Sequence, residues 1–175
     1  MEGNANAAVW VVGSDRPAIV AGVTRELYGL GCNLLDAAST ILRGHFAMML
    51  MVEAPPDCDV ERIRSALDVV TKELGISVTV QPVTDEGRDT PTATHMVSVY
   101  GADKPGIVFR VTEALAETGG NITDLTSRVI GSHEEPVYAL MLEVDLPERA
   151  QERLERLASE LQVEISIHPL ETDLL

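Results

Sequence analysis

Two stretches of the chain, VGSDRPAIVAGVTRELYGLGCNLLDAAS at residues 12–39 and YGADKPGIVFRVTEALAETGGNITDLTS at residues 100–127, align without a gap at a shift of 88 positions, and 12 of the 28 pairs are identical. The identities include Gly13 and Gly101, Asp15 and Asp103, Pro17 and Pro105, Ile19 and Ile107, and Asn33 and Asn121. Self-similarity over this length marks a duplicated structural unit. Further on, Phe46 to Val52 matches Tyr138 to Val144 at a shift of 92, so the second copy carries a longer turn around Gly131 to Pro136.

Within each copy the pattern predicts strand, helix, strand, strand, helix, strand. Ala8 to Val12 and Met96 to Tyr100 are short β-prone runs ending at a glycine. Ile19, Val20, Val23, Leu27 and Leu30 then recur at helical spacing, and Ile107, Val108, Val111 and Leu115 repeat the stripe. Asp-x-Pro ahead of each stripe predicts the helix start, because Asp can accept from first-turn N–H groups and Pro fits the first turn. Gly31 and Gly119 predict the stop. Asn33 to Leu42 and Asn121 to Ile130 are extended, and Phe46 to Glu53 and Val137 to Asp145 are expected to pair back across Arg43-Gly44 and Gly131-Ser132. Ile63, Ala66, Leu67, Val70 and Leu74 form a second stripe, as do Leu154, Leu157, Ala158 and Leu161. Ile76 to Gln81 and Val163 to His168 close each copy. A βαββαβ order gives α+β architecture: two ferredoxin-like units, each an antiparallel four-stranded sheet with both helices on one face. The boundaries are placed at 6–82 and 94–170, with residues 83–93 as a linker, since Pro82 to Thr94 is rich in Pro, Thr, Asp, Glu and Gly.

Composition excludes several functions. With 13 basic and 28 acidic residues among 175, the net charge is -15, and the count is 6 against 12 in residues 1–87 and 7 against 16 in the rest. Neither half has the Lys/Arg surface that phosphates require, so no direct nucleic-acid or anionic membrane binding is expected. Met1 to Gly13 has no basic targeting segment, and the longest apolar run, Phe46 to Val52, is too short for a bilayer, which leads to the expectation of a cytoplasmic protein. Only Cys32 and Cys58 are present, so no disulfide framework is expected. No phosphate-loop, nucleophile-elbow or zincin motif occurs, and His45, His95, His133 and His168 are scattered; no enzyme activity, metal or cofactor is expected. Cys32 has no Lys, Arg or His pattern beside it to activate its thiol.

In Phe46 to Val52 both alternating sets are apolar, whereas a half-buried strand alternates with polar residues. The second face is therefore expected to be covered by the other unit or by another chain, and a homodimer follows, testable by sedimentation at micromolar concentration.

The loop between first strand and first helix offers backbone N–H groups at a positive helix end, suited to a carboxylate. Asn33 and Asn121 add a donor and an acceptor, so the set suits an amino acid. Capping and turn roles account for the same residues. Asp36 and Asp124 could meet a ligand ammonium or pair with a neighbour such as Arg128.

Asp-Arg-Pro-Ala-Ile-Val and Asp-Lys-Pro-Gly-Ile-Val, each followed by an amphipathic helix and then Gly-x-Asn-Leu or Gly-x-Asn-Ile, resemble the ACT domain. Two such units filling nearly the whole chain resemble the glycine cleavage system transcriptional repressor group. The resemblance implies a non-enzymatic regulator that binds a small amino acid, of the glycine or serine type, at domain interfaces. It also implies a protein partner, a transcriptional activator in that group, rather than DNA. Carried across, the ligand site falls on Asp103, Pro105, Gly106, Ile107 and Asn121. In the first unit it falls on Asp15, Pro17, Ala18, Ile19 and Asn33, where Ala18 stands in place of the family's glycine. A Cβ there is expected to block a ligand or force a different turn, making the second loop the better site. A ligand-free oligomerisation module, or a detached regulatory subunit of a metabolic enzyme, is the alternative.

Overall fold

A computed structural model describes residues 5–83, 92–132 and 136–170. It divides into two compact units, Met1–Arg88 and Asp89–Leu175. Most of the expected linker and His133 lie outside the described residues. The first unit runs β1 (Ala5–Ser14), α1 (Ile19–Gly29), β2 (Asn33–Leu42), β3 (His45–Ala54), α2 (Val60–Leu74) and β4 (Ser77–Val83). The second runs β5 (His95–Ala102), α3 (Ile107–Glu117), β6 (Asn121–Gly131), β7 (Pro136–Asp145), α4 (Glu148–Leu161) and β8 (Glu164–Pro169). Both sheets are antiparallel, in the orders β2-β3-β1-β4 and β6-β7-β5-β8. The two units are ferredoxin-like βαββαβ folds, as the periodicity predicts.

Each unit has its own core, because one face of each sheet alternates apolar residues that meet the helix stripes. In the first unit Val9, Val11, Leu50 and Val52 pack with Ile19, Val23, Leu27, Ile63, Leu67 and Val70. Val97, Val99, Leu140, Leu142, Leu154 and Leu157 do the same in the second. Val20, placed on the predicted stripe, is 47% exposed; it lies one position off the buried set Ile19, Val23, Leu27 and faces the edge strand β2 instead.

The helix starts correct the sequence expectation. Among the described helices only α2 has a side-chain cap, the Asp59 carboxylate accepting from the Arg62 N–H at 2.8 Å. The first helix of each unit begins at Ile19 or Ile107, after Ala18 at φ 73° or Gly106 at φ 95°, and neither has a side-chain cap. Asp15 and Asp103 sit too early in the chain to act as caps, because a left-handed residue intervenes and turns the chain into the helix. The stops agree: Gly31 and Gly119 adopt φ 74° and 79° just past the last turn.

On the helix-free face of the first sheet, Ala47 and Met51 are half-buried, yet Met49 is 44% and Val12 52% exposed. No helix among the described residues is long and apolar enough to cross a membrane.

Candidate functional site

Strand register decides where the expected ligand residues stand. The end of β1, Ser14, lies opposite His45 at the start of β3, and the Asp15 N–H donates to the Gly44 carbonyl at 2.8 Å. The loop of Asp15, Pro17 and Ala18 is thereby tied to the β2–β3 hairpin end. Asn33 lies opposite Glu53, at the other end of the same sheet. At about 3.3 Å per residue, the eight steps from His45 to Glu53 separate loop and Asn by on the order of 25 Å. The second unit repeats this: Ala102 lies opposite Val137, whereas Asn121 lies opposite Asp145. The sequence motif joins loop and Asn in one constellation, but neither unit brings them together.

Both strands that open with Asn carry an irregularity the sequence does not announce. The register slips between Leu34 and Asp36, and between Ile122 and Asp124. Residues three apart in a regular strand point to opposite faces, but one extra residue restores them to the same face. Asn33 and Asp36 accordingly lie opposite Glu53 and Met51, both on the helix-free side, and Asn121 and Asp124 lie opposite Asp145 and Glu143. Asp36 accepts from the Ala37 N–H at 2.8 Å. Arg128 lies opposite Ala139, four pairs along from Asp124 and roughly 13 Å away along the strand, too far for the ion pair considered from the sequence.

The loop residues divide by burial. Ile19 and Ile107 are 2% and 4% exposed and belong to the cores, so only their main chain can face a ligand. Asp15, Pro17, Ala18, Asp103, Pro105 and Gly106 are exposed. At Gly106 nothing lies within 4 Å of where a Cβ would stand, so the start of α3 is open from that side. An uncapped helix start presents unpaired first-turn N–H groups at the positive end of the helix.

Ala18 corrects a further expectation. It takes the same left-handed turn as Gly106, with ψ 2° against -6°, so its methyl does not force a different loop. The conformation costs a non-glycine residue about 1 kcal/mol. Ala18→Gly is therefore expected to stabilise the first unit by about 1 kcal/mol in urea unfolding, while an unchanged midpoint would mean the strain is relieved elsewhere.

Asn33 lines a groove of about 500 Å³ with Thr24, Arg25, Leu27, Tyr28 and Cys32, at the C-terminal half of α1. No loop residue from 15 to 19 lines it. Burial, and then the neighbouring Cys58 thiol, push the Cys32 thiol up from 9.0 to about 11, which leaves it protonated and a poor nucleophile at neutral pH.

Two ferredoxin-like units in tandem, each with an uncapped loop into its first helix and a bulged Asn strand, define an α+β protein built from a duplicated βαββαβ module. The chain belongs to the ACT-domain family: the ACT-domain models match residues 8–81 and 95–162. A glycine cleavage system transcriptional repressor from Escherichia coli is 26% identical over 136 residues, 78% of this chain and 71% of its own length. A UPF0237 protein from Methanopyrus kandleri is 41% identical over 76 residues, 43% of this chain and 84% of its own length. The crystal structure of a protein from Galdieria sulphuraria superposes with a TM-score of 0.83 at 25% identity, covering 95% of this chain and 99% of that one. The tandem ACT architecture and the repressor homologue support a regulatory, amino-acid-sensing protein.

Proposed function

We propose that the protein is a non-enzymatic regulator that binds a small amino acid of the glycine or serine type and modulates a protein partner in response. The observation that supports it best is the pair of uncapped, left-handed starts of α1 and α3. An effector carboxylate would accept from the first-turn N–H groups there, with Asp103, Pro105 and Gly106, or Asp15, Pro17 and Ala18, shaping the loop and Ile107 or Ile19 contributing main chain. Asn33 and Asn121 are the second half of the proposed site. Because loop and Asn stand at opposite ends of a unit, a site using both takes the loop from one copy of the fold and the Asn from another. A homodimer would supply such copies. The E. coli relative is by name a transcriptional repressor, which favours a transcription-regulating partner here, and the net charge of -15 favours contact with protein over DNA.

Binding to the folded state alone raises stability by RT ln(1 + [L]/Kd). Thermal unfolding against the common amino acids at millimolar concentration is expected to show a rise in Tm confined to one or two small ones. A flat panel would leave the ligand-free interaction module as the better account.

A further inference from the structure

The only two cysteines of the chain, Cys32 and Cys58, meet in the first unit, and main-chain geometry brings them there. The β2–β3 ladder places Asn33 opposite Glu53, so the residues before Asn33 run alongside Ala54 and Pro55. The Pro55 ring lies 3.8 Å from where a Cβ on Gly31 would stand. The Cys58 N–H then donates to the Pro55 carbonyl at 2.9 Å, which curls the chain back towards Cys32 just before α2. Cys58 is 2% exposed and belongs to the core against which Cys32 packs; its thiol donates to the Asp59 carbonyl at 3.9 Å and lies close enough to Cys32 to raise that thiol. Cys32 is only partly buried and lines the groove beside Asn33. One thiol is thus reachable from solvent and the other waits behind it.

We propose that Cys32 and Cys58 form a covalent modification site, a dithiol that closes to an intrachain disulfide by exchange with a small-molecule disulfide. The Cys32 thiolate attacks one sulfur of the small disulfide, forming a mixed disulfide and releasing the first small thiolate. The Cys58 thiolate then attacks the Cys32 sulfur, breaks the mixed bond and expels the second. The two protons lost by the cysteines end on the two released small thiols, and the two electrons of the dithiol reduce the small disulfide. The closed bond would pin the α1–β2 turn, immediately before Asn33, to the start of α2. The inference is independent of amino-acid binding.

The raised Cys32 thiol makes the first attack slow at neutral pH, so exchange is best driven near pH 9. The full-length native protein, incubated with oxidised glutathione and quenched in acid, is expected to lose the mass of two hydrogens and retain no glutathione. Its first-unit Tm should rise on the order of 10 °C and return on reduction with dithiothreitol. Cys58→Ser should stop at one glutathione on Cys32, and Cys32→Ser should take up none while folded. A persistent glutathione adduct on Cys32 in the unsubstituted protein, a disulfide-linked dimer, or no mass change while the urea-unfolded chain reacts would each overturn the proposal. An oxidised form that melts below the reduced one would overturn it too, because the bond would then form only in a distorted chain.

Discussion

Replacing Gly101 by valine is expected to lower the stability of the second unit by about 3 kcal/mol, a fall in Tm on the order of 15 °C for a unit of this size. Gly101 lies on the core side of β5, and a Cβ there would stand 2.6 Å from Val163 Cγ1 and 3.2 Å from Val163 Cβ. No rotamer of Val163 removes the second contact, so the main chain joining α4 to β8 must move. A Cβ on Gly13 would likewise stand 2.7 Å from Ile76 Cγ2, which gives this glycine, shared by the two copies in the chain, a packing role in both. The double variant Gly101→Ala with Val163→Ala should recover part of the loss of Gly101→Ala alone, since it removes the 2.6 Å contact with Cγ1 while the Cβ at 3.2 Å stays. Additive losses, measured by urea unfolding, would show that Gly101 is kept for another reason.

The second large effect concerns the effector response. Gly106 has φ 95°, a conformation that Asn and Asp tolerate better than other side chains, and open space lies where the Cβ would go. Gly106→Asn and Gly106→Asp should therefore cost similar, small amounts of stability. They differ in charge: an aspartate fixed at the start of α3 repels an effector carboxylate drawn to the same N–H groups. Gly106→Asp is expected to weaken effector binding roughly tenfold or more, abolishing a thermal shift measured near Kd, while Gly106→Asn keeps part of it. Equal responses from both variants and the unsubstituted protein would place the effector away from this loop.

Much of this was legible before any coordinates. The 88-residue repeat, the helical stripes of Leu27 and Leu115, and the turn at Arg43-Gly44 are local patterns, and local patterns survive in sequence. Other features were misjudged for identifiable reasons. Asp15 and Asp103 carry a good capping signal, but the left-handed residue that starts each helix lies three positions on, and alanine at position 18 gives no hint of positive φ. The bulges at Leu34/Asp36 and Ile122/Asp124 arise from pairing with β3 and β7, which a strand's own residues do not reveal.

The sequence by itself determined the duplicated ferredoxin-like plan, the acidic surface and the family, because periodicity, turn residues and charge act over a few neighbours at a time. Only the tertiary structure decided that loop and Asn stand at opposite ends of each sheet, that Asn33 shares a face with Asp36, and that Cys32 and Cys58 are neighbours. Those relations follow from strand register, and register is set by the fit of one strand's side chains and backbone to the next across long sequence separations.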